Sequence, residues 1–409
     1  MKVLVADKLD QRALDGLADL GCEVASDPEL KEGALHSALL SSQAEVLIVR
    51  STKVPEEVLD GTGLSLIIRA GSGYNTIAVG AASDRGISVA NCPGMNAIAV
   101  AELAFGLILC LDRKIPDNVA ELRSGRWDKK GFGKGRGLYG RTLGLVGLGN
   151  VAQHMVSRAQ AFGMDVVSFS RFLTPETAAC LQIGRADSLD ELARQSDFVS
   201  LHIALGPETE GMVGRAFFAA MKDGAGLINT SRAGVVVQDE LVAAVKSGKI
   251  TAGLDVFEGE PSVGQGEYDG EIKDVPGIYC THHIGASTAQ AQEAVAMEAV
   301  RIVKEFQATG VAPNVVSVSE GAVATHLLVV RHLDKVGVLA EVLDALREDS
   351  ISVQETENVI LRQAKEMIAQ MSLDGAPSQG TLQKIMTFAD VFDATVIVLA
   401  ELVGRGSRV

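Results

Sequence analysis

Apolar residues along this chain fall into short continuous runs separated by stretches of helical spacing, an alternation that occurs in two series before the pattern changes. In the first series 3–6 (VLVA), 46–49 (VLIV), 66–70 (LIIRA) and 87–90 (ISVA) are near-continuous apolar runs, with helical patterns at 11–20 and 29–41. Strands apolar on both faces and linked by helices predict a parallel sheet covered on both sides. A long helical pattern follows over 96–122. The second series has runs at 142–150, 165–169, 197–201, 225–230, 251–256 and 277–281, with helical patterns such as 151–162 and 239–247 between them. Six strands with helical crossovers predict a doubly wound nucleotide-binding domain. A further helical pattern, 290–309, is placed to return the chain to the first sheet.

The third region reads differently. A strand (326–332), a helix (336–348), a strand pair (352–361 and 365–373), a helix (380–388) and a last strand (394–402) give the order βαββαβ of a ferredoxin-like unit. The stretch 310–323 reads as a linker. The predicted fold class is α/β: two Rossmann-like doubly wound parallel-sheet domains plus a C-terminal ferredoxin-like domain. At about 150 residues per domain, 409 residues agree with two or three domains.

Composition narrows the partners. With 37 Lys+Arg against 52 Asp+Glu the net charge is −15, a poor match for nucleic acid or an anionic membrane. Aromatics at 4% argue against a base-stacking platform. The most apolar stretch, 98–111, carries Glu102 and is shorter than the about 20 residues of a membrane span. No secretory leader is recognisable at the N-terminus. The five cysteines are dispersed and form no CxxC pair, as expected of reduced thiols in the cytoplasm rather than disulfides or a metal site.

Candidate chemistry begins at Gly147-Leu148-Gly149-Asn150-Val151-Ala152, a G-x-G-x-x-A turn between a strand and a helix. The first glycine turns the chain, and the second lets backbone approach a pyrophosphate at the helix N-terminus. An acid normally ends the next strand and holds the ribose 2′-hydroxyl; here Ser170 and Arg171 stand there. A cation in place of the acid suggests NADP, so NAD and NADP both stay open. Arg232, Glu260 and His283 fall at or just beyond later strands, where an open α/β sheet binds its ligand. An arginine can hold a carboxylate, an imidazole can exchange an alcohol proton, and a carboxylate can orient that imidazole. Together they suit hydride transfer between a nicotinamide and a 2-hydroxy or 2-keto acid.

The segments GLVGLGNVA, LINTSRAGVVVQDELVAAVKSGKI, AGLDVFEGEP and HHIGAST resemble successive signatures of the D-isomer-specific 2-hydroxyacid dehydrogenase family. VRSTKV, AGSGYNTI and NCPGMNAIAVAELAFGLIL resemble its substrate-side segments, so the similarity spans about 1–315. The resemblance implies that Arg232 binds substrate, that Glu260 pairs with the acid/base His283, and that Asp255 lies near the nicotinamide. It implies that the Ser72-Gly73 backbone holds the substrate carboxylate. Three positions depart from the family: His282 replaces a proline, Tyr74-Asn75-Thr76-Ile77 replaces D-N-I-D, and Ser170 replaces the acid. The implied layout is a discontinuous substrate domain (1–95 and 287–315), an inserted dinucleotide-binding domain (96–286) and a regulatory domain (324–405). The long helix implies a homodimer or homotetramer.

Positive charge in an acidic chain suggests the substrate. Arg50 and Lys53 flank Ser51-Thr52 after a strand end, and six Lys and Arg residues lie within 123–136 around Trp127. A phosphate needs such donors. RSTK resembles the phosphate-side segment of the branch that oxidises 3-phosphoglycerate, the first step of L-serine synthesis; Arg50, Ser51 and Lys53 would take the phosphate. VRHLDKVGVLAEVLDAL resembles an ACT domain and implies an amino-acid effector, L-serine. Two alternatives stay open: an NADPH-linked reductase of glyoxylate or hydroxypyruvate, and a non-catalytic nucleotide sensor on the same scaffold.

Overall fold

The computed structural model describes residues 1–30, 32–261, 265–316, 324–360 and 366–399. The chain divides into two units, Met1–Ser317 and Val318–Val409. Within the first, two all-parallel sheets form from the apolar runs. One has five strands, β1 (Lys2–Val5), β2 (Glu23–Ser26), β3 (Val46–Val49), β4 (Leu66–Arg69) and β5 (Ser88–Asn91), in the order β2-β1-β3-β4-β5. The other has seven: β6 (Thr142–Val146), β7 (Asp165–Phe169), β8 (Gly184–Arg185), β9 (Phe198–Leu201), β10 (Ala225–Asn229), β11 (Ile250–Leu254) and β12 (Ile278–Cys280). Their order is β12-β11-β10-β9-β6-β7-β8. Strand order reverses between β1 and β3 and between β6 and β9, which opens a crevice beyond the carboxyl ends in each sheet.

Both sheets are buried on two faces, as continuous apolar strands require. The helix Ala97–Arg113 lays Ala101, Leu107 and Ile108 on Leu143, Leu145 and Ile228 of the larger sheet. The helix Ala289–Thr309 returns from that sheet and buries Ala296, Ala299 and Val303 against Val3, Ile48 and Ile68 of the smaller one. The chain therefore crosses between sheets twice, at 92–96 and 281–288, and these crossings carry Asn96 and His283.

Several expectations needed correction. The helix expected over 96–122 breaks at Lys114, left-handed at φ 49°, into Ala97–Arg113 and Ile115–Arg123. Pro116 follows the break, where its missing N–H falls in a first turn and is harmless. Strands β2 and β8 were not anticipated, because they are sheet edges and mostly exposed. The stretch 310–323 is not wholly a linker: Val315 bridges Ala90, and Val316 N–H donates to the Val89 carbonyl at 2.7 Å; residues 317–323 lie outside the described residues.

The second unit pairs β13 (His326–Leu333), β14 (Val353–Ile360), β15 (Glu366–Leu373) and β16 (Val391–Val398) antiparallel in the order β14-β15-β13-β16. This is the ferredoxin-like arrangement, with Leu328, Val330, Ala369 and Met371 packed on Val342, Leu346 and Ile385 of two helices. Residues 361–365 and 400–405 of the expected strands and domain lie outside the described residues.

Candidate active site

The carboxyl ends of the smaller sheet determine the first half of the site. Asp7, just beyond β1, accepts from the backbone N–H of Arg50 (2.7 Å), Ser51 (3.1 Å) and Thr52 (3.1 Å) and from the Ser51 hydroxyl (2.7 Å). Burial would raise the Asp7 pKa, but these donors outweigh it and hold the carboxyl below its ordinary value. Ser51 is thus committed to Asp7, while the Arg50 side chain lines a cleft of about 440 Å³. Lys53 is exposed and does not line that cleft.

Arg69 ends β4 in the same cleft. Sequence reasoning passed over it as a polar residue closing an apolar strand. Its Nε is buried without a hydrogen-bond partner. Burial, followed by the charges of Arg232 and Arg50, pushes its pKa below the ordinary guanidinium value. Gly71 has φ 149°, and a Cβ there would lie 1.6 Å from Arg69 Nη1. A Cβ on Gly73 would lie 2.3 Å from Arg232 Nη2. Two glycines in AGSG therefore make room for two guanidinium groups. Ser72 between them donates its hydroxyl to Asn96 Oδ1 at 2.8 Å, and its carbonyl accepts from Asn91 at 2.7 Å.

Arg232 follows β10, where Asn229 fixes the turn by donating to the Arg232 carbonyl at 2.9 Å. Asp255, 1% exposed just after β11, accepts from Thr281 Oγ1 (2.6 Å), Ile284 N–H (2.9 Å) and Gly285 N–H (2.8 Å). Its carboxylate therefore clamps the turn that carries His283. His283 needs such support, because its φ of 50° is left-handed, a costly conformation for a residue with a side chain.

His283 Nδ1 lies 2.7 Å from Glu260 Oε2. Glu260 Oε1 accepts the Phe257 N–H at 2.8 Å, so both carboxylate oxygens are occupied and the group is aimed. The hydrogen bond that His283 donates to Glu260 raises the His283 pKa above its ordinary value; burial and Arg232 oppose that shift, and the charges of Glu260 and Asp255 add to it. Burial would raise the Glu260 pKa, but the His283 bond, the Phe257 N–H and the imidazole charge lower it overall. An ionised Glu260 accepts the hydrogen bond from Nδ1–H, which leaves Nε2 to exchange a proton with a ligand. His282, the neighbouring imidazole, lines a second cavity of about 640 Å³ with Phe257, Tyr268, Glu260 and His283, but only His283 also lines the cleft that holds Arg50 and Arg69.

The glycine turn forms the other half. Gly147 has φ 88°, its N–H donates to the Phe169 carbonyl at 2.8 Å, and a Cβ would lie 2.5 Å from the His202 carbonyl oxygen. It is wedged between the ends of β7 and β9, where only glycine fits. A Cβ on Gly149 would meet nothing within 4 Å, so this backbone faces open space. Gly149 caps the helix Asn150–Ala161 with no side-chain hydrogen bond, leaving first-turn N–H groups, including that of Val151, free for an anion. These features fit a dinucleotide pyrophosphate. Ser170 and Arg171 lie just past β7. Burial drives the pKa of His202 down to about 4, so this ring beside the turn is neutral. Among the described residues no group of three or more His, Cys, Asp or Glu could hold a metal ion, and no helix is long and apolar enough to cross a membrane.

Comparison with known proteins agrees with this geometry. The family model for the D-isomer specific 2-hydroxyacid dehydrogenase NAD binding domain matches residues 105–285. A hydroxypyruvate reductase of Thermotoga maritima is 40% identical over 309 residues, covering 75% of this chain and 98% of that protein. A D-3-phosphoglycerate dehydrogenase of Methanocaldococcus jannaschii is 38% identical over 322 residues, covering 78% of this chain; the chain spans 59% of that relative's length. The NAD+-bound 3-phosphoglycerate dehydrogenase of Entamoeba histolytica superposes with a TM-score of 0.64 at 25% identity, over 77% of this chain and 98% of that one. With a glycine cradle, a paired histidine and these relatives in hand, the chain belongs to the D-isomer-specific 2-hydroxyacid dehydrogenase family.

Proposed function

We propose that this protein is a D-3-phosphoglycerate dehydrogenase that oxidises the C2 alcohol to 3-phosphohydroxypyruvate. This reading rests chiefly on one observation: half-buried Arg69, whose Nε is buried without a partner, lines one cleft with Arg50 and His283, and feels the charges of Arg232 and Arg50. Three like charges, one of them desolvated, are unfavourable together until anions join them. A substrate with a carboxylate and a phosphate supplies two. Arg232, packed on Gly73, is placed for the carboxylate and the C2 oxygen, while Arg50 and Arg69 are placed for the phosphate end.

In oxidation His283 Nε2 accepts the C2 hydroxyl proton, and Glu260 stabilises the imidazolium that forms. Arg232 stabilises the developing carbonyl oxygen. Asp255 holds the His283 turn still. Gly147, Gly149, Asn150 and Val151 would hold the pyrophosphate, with Ser170 and Arg171 at the adenosine ribose. When bound, NAD or NADP supplies the hydride acceptor.

Reduction of glyoxylate or hydroxypyruvate is the second reading, favoured by the Thermotoga relative matched over nearly its whole length. Steady-state rates with 3-phosphoglycerate, hydroxypyruvate and glyoxylate against each dinucleotide decide between them. We expect kcat/KM for the phosphorylated substrate to lead by at least tenfold, and a lead for glyoxylate would end the first reading.

Two partners complete the proposal. Ile115, Val119, Leu122 and the 80%-exposed Trp127 form an apolar surface suited to a second copy in a homodimer or homotetramer. In the C-terminal unit His332 is 2% exposed, donates its Nδ1–H to the Leu333 carbonyl (2.7 Å), and leaves Nε2 without a partner beside the β13 loop. That loop is the proposed place of an amino-acid effector such as L-serine.

A further inference from the structure

The sequence leaves the choice between NAD and NADP to Arg171, a cation at the position usually held by an acid. The structure adds a second residue. Arg171 Nη1 lies 2.5 Å from Glu208 Oε2. Arg171 extends from the end of β7 and Glu208 from the loop after β9. These two strands flank β6, and their ends grip Gly147 from opposite sides through the Phe169 and His202 carbonyls. The ion pair therefore spans the dinucleotide crevice at its outer rim.

The loop that carries Glu208 is built rather than floppy. Thr209 Oγ1 donates to the Ala204 carbonyl at 2.7 Å and accepts the Gly206 N–H at 2.9 Å, and the Thr209 N–H returns to the Gly206 carbonyl at 2.9 Å. Leu205 packs its tip onto Gly234 at 3.3 Å from where a Cβ would lie. Yet Leu205 stays 48% exposed, and Phe172 on the opposite rim is 86% exposed. Exposed apolar side chains thus stand on both loops that carry the Arg171–Glu208 pair, available to an apolar ring edged by a polar sugar.

We propose that Glu208 is a specificity-determining residue that selects NAD over NADP by neutralising Arg171 and by setting a carboxylate where a 2′-phosphate would project. The missing acid is thereby supplied from another loop rather than from the end of β7. With the guanidinium engaged, the phosphate gains little from Arg171 and meets a like charge at short range. A ribose 2′-hydroxyl loses nothing, since it can donate to the same carboxylate. Being exposed on both sides, the pair adds little to folding stability, so its removal reads out on ligand choice.

This inference rests on the dinucleotide reading of the site. Its test is the dissociation constant of NADH and of NADPH, read from nicotinamide fluorescence without substrate, for the wild-type chain and for Glu208→Gln and Arg171→Ala. The wild type should favour NADH. Glu208→Gln should lower the ratio of the NADPH to the NADH constant at least fivefold, because it frees Arg171 and removes the repelling charge. Arg171→Ala should leave that ratio level or raise it. A change below fivefold in Glu208→Gln, a fall in Arg171→Ala, or a wild type that favours NADPH overturns the assignment. Binding of neither dinucleotide to the wild type overturns this inference together with the proposed function, whereas tight NADH binding with an unmoved ratio overturns this inference alone.

Discussion

Two arginines, one at a carboxyl end of each parallel sheet, receive opposite treatment. Arg69, at the end of β4, is half-buried, has a buried Nε without a partner and sits among like charges. Arg171, beyond β7, is exposed and paired with Glu208 at 2.5 Å. Desolvating an unpaired cation costs several kcal/mol, so a fold keeps one only where a ligand supplies the counter-charge. An exposed ion pair contributes little to stability and can be tuned freely. On the proposed assignment, the smaller sheet holds unfavourable electrostatics ready for a substrate, while the larger sheet commits almost none to telling one dinucleotide from another.

The sharpest break is at the chemistry between those ends. His283→Ala should lower kcat by about 10²–10⁴, measured with 3-phosphoglycerate, while NADH still binds; turnover near that of the wild type would dismiss His283 as the acid/base. Next comes Arg69→Met, which should raise KM for the phosphorylated substrate by roughly 30-fold, about 2 kcal/mol. It should also raise the melting temperature, because an apolar side chain removes the stored charge. A variant that lost both affinity and stability would show Arg69 to be a structural residue.

A smaller effect is expected from Glu260→Gln. His283 has its pKa raised chiefly by the Glu260 hydrogen bond. Oxidation requires the neutral imidazole, so the wild-type rate falls as pH drops through that raised value. Removing the carboxylate charge should move this acid limb to lower pH and, for the reverse reduction, move the alkaline limb the same way. Profiles shifting upward would reverse the assigned role. The smallest effect belongs to the other arginine: Arg171→Ala should change unfolding stability by less than about 0.5 kcal/mol, measured by urea titration. A larger loss would contradict the idea that its pair is free of structural duty.

The legibility of these features followed their locality. Strands apolar on both faces showed themselves in four-residue windows, and so did the βαββαβ order of the C-terminal unit. Edge strands β2 and β8 did not, because exposed positions carry no hydrophobic signal. The break at Lys114 had a local sign in Pro116, outweighed by the continuous helical spacing around it. Glu260 and His283 stood out by residue type just past strand ends, and the Gly147–Gly149 turn by its spacing. Arg69 and Asp7 did not: each looks like an ordinary polar end to an apolar run. Ser51 looked available for a phosphate, yet Asp7, distant in sequence, takes both its hydroxyl and its N–H.

The sequence by itself determined the two parallel sheets, the ferredoxin-like unit and the glycine turn, since hydrophobic period and backbone freedom act over a few neighbouring residues. Tertiary structure alone decided that Asp255 clamps the His283 turn, that Gly71 and Gly73 admit two guanidiniums, and that Glu208 reaches across to Arg171. Each of these depends on side chains from separate strands arriving at one point in space, and electrostatics at a few ångströms responds to that distance rather than to separation along the chain.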